Sequence, residues 1–97
     1  MYARVLTVQL QPGKKEEAIQ MYRDSTVPSA KQLQGFKNAL FLTDDTTGKG
    51  ISITLWETEA DMLSSESSGW FQEQSAKFAS LFTEQPVREV YEVVLNE

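Results

Sequence analysis

The chain contains neither cysteine nor histidine. The first absence removes disulfides, thiol nucleophiles and thiolate metal sites together. The second removes the commonest general base near neutral pH and the commonest metal ligand, so no metal site is expected. Acid–base work is left to carboxylate, lysine or tyrosine, each of which needs its pKa moved several units to act near pH 7. Positive charge is scarce as well: nine Lys and Arg stand against 14 Asp and Glu, a net charge of −5. That balance repels phosphates and anionic membrane surfaces, and it predicts no nucleic-acid and no membrane partner. No apolar run approaches the roughly 18 residues of a membrane helix. Met1-Tyr2-Ala3-Arg4-Val5 opens directly into an alternating strand rather than a signal-peptide core. The expectation is a soluble, cytoplasmic protein.

What is present is ordinary globular material, with 40% hydrophobic and 24% charged residues in 97. A chain of this length builds one core, so residues 1–97 are expected to form a single domain. Tyr2 to Leu10 reads as a strand stopped by Gln11-Pro12-Gly13. Ala18, Ile19 and Tyr22 fall at helical spacing, predicting an amphipathic helix to about Thr26 that Val27-Pro28 bends or interrupts. A short helical piece with Ala30 and Leu33 inward then reaches Gly35, a helix stop. Phe36 to Thr43 and Ile51 to Glu57 read as a hairpin around the turn-forming run from Asp44 to Gly50. That run matches neither a phosphate loop nor a calcium loop.

Thr58-Glu59-Ala60-Asp61 is an N-cap with acids in the first turn. The run Ser64-Ser65-Glu66-Ser67-Ser68-Gly69 predicts an early end to that helix, because it offers nothing apolar to bury. A second helical segment starts at Trp70 with Phe71, Phe78, Leu81 and Phe82 near one face, and Gln85-Pro86 closes it. Val87 to Leu95 alternates as a last strand. The order β, α, β, β, α, β is that of the ferredoxin-like α+β fold with a four-stranded antiparallel sheet.

Two helical segments cover one face of such a sheet, whose projected area is about 500 Å². The strands are nevertheless apolar on both faces. Trp56 and Phe41 are expected on the uncovered side, as a patch larger than a soluble monomer usually exposes. A two-fold related copy is the simplest cover, giving a homodimer with sheets face to face.

Gln11-Pro12-Gly13-Lys14 before an acidic helix, Gly35-Phe36 at a strand start, and Leu55-Trp56-Glu57-Thr58-Glu59-Ala60 at a strand end together resemble the antibiotic biosynthesis monooxygenase family of dimeric α+β barrels. The resemblance covers nearly the whole chain and implies a homodimer of ferredoxin-like subunits. For some members it implies monooxygenation of small aromatic or polyketide-like substrates without any cofactor. Polyketide-tailoring members carry a polar amide four residues before the tryptophan, where this chain has Ser52. The haem-degrading branch needs an axial histidine, which this chain lacks. Other members carry a histidine in the helix after the tryptophan strand, where this chain has Ser64, Ser65, Ser67 and Ser68.

Candidate substrate-binding residues follow, each with a plainer alternative. Trp56 and Phe41 suit the walls of an aromatic-lined pocket, or the filling of a dimer core. Asn38 and Ser52 suit hydrogen bonds to a substrate oxygen. Arg4 or Arg88 suits an anionic phenolate, although an arginine in an alternating strand is more often a solvated edge residue or half of a cross-strand pair with Glu89 or Glu92. Trp70 and Phe71 suit a lid, or the anchored start of a core helix. Tyr22 supplies an inward hydroxyl or simply packs. No catalytic base is identified. Two functions remain open: a cofactor-independent monooxygenase of small aromatics, and a non-catalytic dimeric barrel that binds a small apolar ligand or serves as an accessory protein.

Overall fold

In the computed structural model, which describes residues 1–97, β1 (Tyr2–Gln9) runs into the Pro12-Gly13 turn and α1 (Lys15–Met21) follows. Glu16 and Glu17 stand in the first turn of α1, at the positive end of the helix dipole. The helix is not interrupted at Val27-Pro28. It widens into a π turn over Tyr22–Thr26 and continues as α2 (Val27–Ala30). Pro28 has no N–H to give, and its ring crowds the carbonyl four residues back. That carbonyl belongs to Asp24, inside the wider turn.

The hairpin forms from β2 (Phe36–Asp44) and β3 (Lys49–Trp56). Thr58 then caps α3 (Glu59–Ser67), its Oγ1 accepting the Asp61 N–H at 3.0 Å. The serine run does not end this helix early, as its composition predicts. Ser65 is buried and donates back to the Met62 carbonyl at 2.6 Å, so the serines fit the helix as small contact residues. The chain breaks only at Gly69, with φ of 91°, before α4 (Trp70–Phe78) and a 3₁₀ turn, Ala79–Leu81. β4 (Val87–Glu92) is shorter than predicted, because its partner β1 begins at Tyr2, opposite Glu92.

The sheet order is β2-β3-β1-β4, antiparallel throughout, which makes this a ferredoxin-like α+β fold. The helices lie on one face around Val8, Leu10, Ala18, Tyr22, Phe78 and Leu81. No helix is long and apolar enough to cross a membrane.

Register assigns the faces, since successive side chains alternate. Tyr2 opposes Trp56, Arg4 opposes Thr54, Leu6 opposes Ser52 and Val8 opposes Gly50. This set faces the helices, joined by Ala39 and Phe41 from β2. The placement of Trp56 and Phe41 on the uncovered side is therefore corrected: Trp56 is fully buried under the helices, and Phe41 stacks on Tyr22. A bulge between Phe36 and Asn38 resets the alternation in β2 and turns Asn38, Leu40 and Leu42 to the other face. Ile51, Ile53 and Leu55 share that open face. So do Val87 and Tyr91, which with Leu40 and Leu42 are each about half exposed. The uncovered patch exists, carried by different residues from those expected.

Candidate functional site

Before Trp56 the helix-facing side of β3 is built from small residues, Gly50, Ser52 and Thr54, where a covered strand would ordinarily carry large apolar ones. The space they leave is a cavity of about 60 Å³ between sheet and helices. A single water needs roughly 10–15 Å³ of such space, so the cavity has room for several waters, and an aromatic ring, which takes a cavity of about 150 Å³, would extend beyond it. A Cβ on Gly50 would lie 2.9 Å from Val8 Cγ2 and 3.3 Å from Phe41 Cε1. Glycine thus lets Phe41 lie across the strand and stack on Tyr22, with ring centroids 5.2 Å apart. Phe78 meets Tyr22 edge-on at 6.5 Å. These three rings are the apolar walls.

Two hydroxyls meet at the cavity. Tyr22 Oη lies 3.0 Å from Ser52 Oγ and 3.4 Å from the Leu40 carbonyl. One O–H proton closes the pair; the other is that of Ser52, with no acceptor in the chain, or that of Tyr22, with only the long carbonyl contact. Burial pushes the Tyr22 phenol pKa up, against the opposing pull of the Ser52 hydrogen bond and the Arg4 charge. The phenol therefore stays protonated at neutral pH and keeps a proton to donate. The π turn places Tyr22 and Thr26 together on the cavity, and Thr26 Oγ1 donates to Gln74 Oε1 of α4 at 3.1 Å. A π turn at a functional site is a recurrent device.

Arg4 is the charged member of the site. It is 2% exposed, neither a solvated edge residue nor half of a pair with Glu89 or Glu92. Its Nη1 donates to Ser65 Oγ at 2.8 Å and to Glu66 Oε2 at 3.1 Å. Glu66 Oε2 also receives Arg88 Nη2 at 2.8 Å and Arg88 Nε at 3.2 Å. One carboxylate thus serves two guanidiniums. Burial pulls the Arg4 pKa down, and the Glu66 hydrogen bond and charge oppose that shift.

Of the sequence-predicted residues, Phe41, Ser52 and Trp70 line the cavity. Trp56 lies in the core behind it, 6.4 Å from Trp70 and 5.5 Å from Phe36 between ring centroids. Its Nε1 donates to Thr54 Oγ1 at 3.0 Å. Asn38 is exposed on the opposite face of the sheet, because of the β2 bulge. Arg88 lines an adjoining groove of about 650 Å³. Trp70 is tied to α2 through Nε1 and Ser29 Oγ at 2.9 Å, an anchor. Phe71, Phe82 and Pro86 border both cavity and groove, and form the wall between them.

Sequence reasoning did not single out Ser65, Glu66 or Gln74, and it gave Arg4 mainly to the surface. The signal for Arg4 was its parity. It shares alternation with Leu6 and Val8, on the side β1 turns to the helices.

A family model for antibiotic biosynthesis monooxygenase matches residues 1–77. Among solved structures, a Bordetella bronchiseptica protein described as a candidate antibiotic biosynthesis monooxygenase superposes with a TM-score of 0.82 at 19% identity, over 97% of each chain. A Streptomyces coelicolor monooxygenase from the gene ActVA-Orf6, solved with nanaomycin D, superposes with a TM-score of 0.80 at 14% identity, over 99% of this chain and 92% of its own. Rv0793 of Mycobacterium tuberculosis gives 0.76 at 12% identity, over 99% and 96%. At these identities the likeness carries the fold. No curated protein matches the chain.

Proposed function

The chain belongs to the antibiotic biosynthesis monooxygenase family, and from that premise we propose that it oxygenates a small electron-rich aromatic, a phenol or anthrone, with O₂ as oxidant and no bound cofactor. The observation that carries this reading is the Tyr22–Ser52 hydroxyl pair, 3.0 Å apart, at a cavity walled by Tyr22, Phe41 and Phe78. In this reading the substrate ring lies against Tyr22, Phe41 and Phe78 and reaches from the cavity toward the groove beyond Phe71, Phe82 and Pro86. The free hydroxyl proton of the pair donates to the substrate oxygen as it becomes an oxyanion, which lowers the cost of removing the substrate's proton. The proton leaves to water through the groove.

The electron balance needs nothing further. The carbanion form of an anthrone methylene reduces O₂ and binds it as a peroxide. Loss of water then leaves a carbonyl, one oxygen atom staying in the product. The protein supplies orientation, desolvation and the hydrogen bond.

We also propose a homodimer, in which a second copy covers Leu40, Leu42, Ile51, Ile53 and Leu55. A cytoplasmic location is in keeping with a chain of this composition.

The test is oxygen uptake with a panel of hydroquinones and anthrones. Uptake by the native protein that falls at least tenfold in both Tyr22→Phe and Ser52→Ala is the expected result. Uptake unchanged in both variants overturns the site. One observation favours a second reading: with no histidine in the chain and Glu66 held by two arginines, no free base stands at the cavity. Ligand binding with no uptake on any panel member would make the protein a small-molecule binder.

A further inference from the structure

Only one nitrogen of the Arg4 guanidinium is engaged. Nη1 donates to Ser65 and Glu66, with the Met62 carbonyl at a long 3.5 Å. Nε and Nη2 make no hydrogen bond within the chain, although Arg4 as a whole is 2% exposed. No fully buried side-chain nitrogen or oxygen in the protein lacks a partner. These two nitrogens therefore keep some accessible surface, and the cavity is the space that Arg4 lines. They form a single edge of the guanidinium, the edge that gives two parallel N–H···O bonds to a carboxylate.

Two aromatic rings already stand against the same group. The Phe71 ring centroid lies 4.3 Å from the guanidinium carbon, and that of Trp56 lies 5.5 Å away. The unengaged donors of Arg4 lie along its Nε–Nη2 edge, and that edge is what it offers a ligand. Charge points the same way. Glu66 answers one of two positive charges, so the Arg4–Glu66–Arg88 cluster is net positive in a chain of net charge −5. A buried guanidinium with two idle donors is costly as a purely structural element. A bound carboxylate completes it.

We infer that the cavity takes an aromatic carboxylate, its two oxygens on Nε and Nη2 of Arg4 and its ring among Tyr22, Phe41 and Phe78. The inference rests on reading the cavity as the ligand site, and it narrows the ligand class. A phenolate, with one oxygen, uses only half of the fork.

The test is a titration of the full-length ¹⁵N-labelled protein at pH 7 with benzoate, benzyl alcohol and benzylamine, following the indole N–H signals of Trp56 and Trp70. Benzoate is expected to bind at least tenfold more tightly than benzyl alcohol, with benzylamine weakest. Arg4→Lys keeps the charge and loses the fork. It is expected to bring benzoate within threefold of benzyl alcohol. Equal binding of benzoate and benzyl alcohol by the native protein overturns the inference without any variant. A benzoate preference that survives Arg4→Lys intact overturns the assignment to Arg4. Oxygen uptake separates this from the proposed activity. A carboxylate preference with no uptake on any phenolic acid sinks the oxygenase and leaves the carboxylate site standing, whereas uptake on neutral anthrones with no gain from a carboxylate does the reverse.

Discussion

Tyr22, in the π turn after α1, and Ser52, in the middle of β3, share a hydrogen bond of 3.0 Å across the cavity, 30 residues apart in sequence. Each depends on a local irregularity. The π turn aims the phenol inward, and a small polar residue replaces the large apolar one that a covered strand would carry. Tyr22→Phe keeps the ring and removes the bond, at an expected cost of about 1 kcal/mol. The alkaline limb of stability carries a second signature. The folded pKa of Tyr22 is raised by burial, so an unfolded tyrosine, near pH 10, ionises first. Stability present at neutral pH is lost as pH rises past about 10 toward the folded value. Urea melts between pH 8 and 11 should show a shallower alkaline fall in Tyr22→Phe than in the native protein. Identical slopes would mean that the phenol is not held neutral by the fold.

Glu66 is the single anion between Arg4 and Arg88. Glu66→Gln leaves both guanidiniums without a counter-charge, and Arg4 is the buried one. Removing one partner of a buried pair costs roughly 3–5 kcal/mol. Glu66 is itself partly exposed, which puts the expectation at the lower end, about 3 kcal/mol, by urea unfolding. Arg4→Met combined with Glu66→Gln should recover most of that loss, because the uncompensated buried charge is gone. A double variant as unstable as Glu66→Gln alone would locate the cost elsewhere.

Gly35 carries φ of 82°, and a Cβ there would run into the side chain of Asp61 at the start of α3. Gly13 carries a similar φ of 78° with nothing within 4 Å of a Cβ. The two substitutions separate backbone strain from close approach. Gly13→Ala is expected to cost about 1 kcal/mol, from the left-handed conformation alone. Gly35→Ala is expected to cost about 2 kcal/mol or more, because Asp61 must also move. Equal losses in thermal or urea melts would show that Asp61 yields freely.

The order of elements was legible in the sequence because its punctuation is local. Pro12-Gly13, Gly35, the hairpin run from Asp44 and the Thr58 cap act within a few residues, and each lies where its chemistry predicts. The faces were less legible, for a tertiary reason. In β3 the more apolar set, Ile51, Ile53 and Leu55, points away from the helices, and the set with Ser52 and Thr54 points into the core. An inside-out reading of hydrophobicity therefore fails on this strand. The face of Asn38 was not legible, because a one-residue bulge leaves no mark in composition and swaps the sides of the strand beyond it. Arg4 was underrated because its partners, Ser65 and Glu66, lie some 60 residues away in a run that reads as a helix break.

The inverted strand carries its own prediction. Leu40 and Ile53 are register partners on the open face, with Leu42 and Ile51 beside them. Leu40 and Leu42 are 47% and 48% exposed in the isolated chain. A monomer rarely exposes a contiguous apolar patch beyond roughly 300–600 Å², and a four-stranded face of about 500 Å² in projection reaches that limit. A second copy related by a two-fold axis buries the same residues on both sides, and the sheets then pack about 10 Å apart. Light scattering on a sizing column is therefore expected to give about twice the chain mass of 11.0 kDa. Leu40→Lys with Ile53→Lys sets like charges in the centre of that interface and should yield the single-chain mass, with the cavity side of the sheet untouched. A native protein that already runs at the single-chain mass would mean that this face meets water, and the reason for turning Ile51, Ile53 and Leu55 outward would have to lie in another partner.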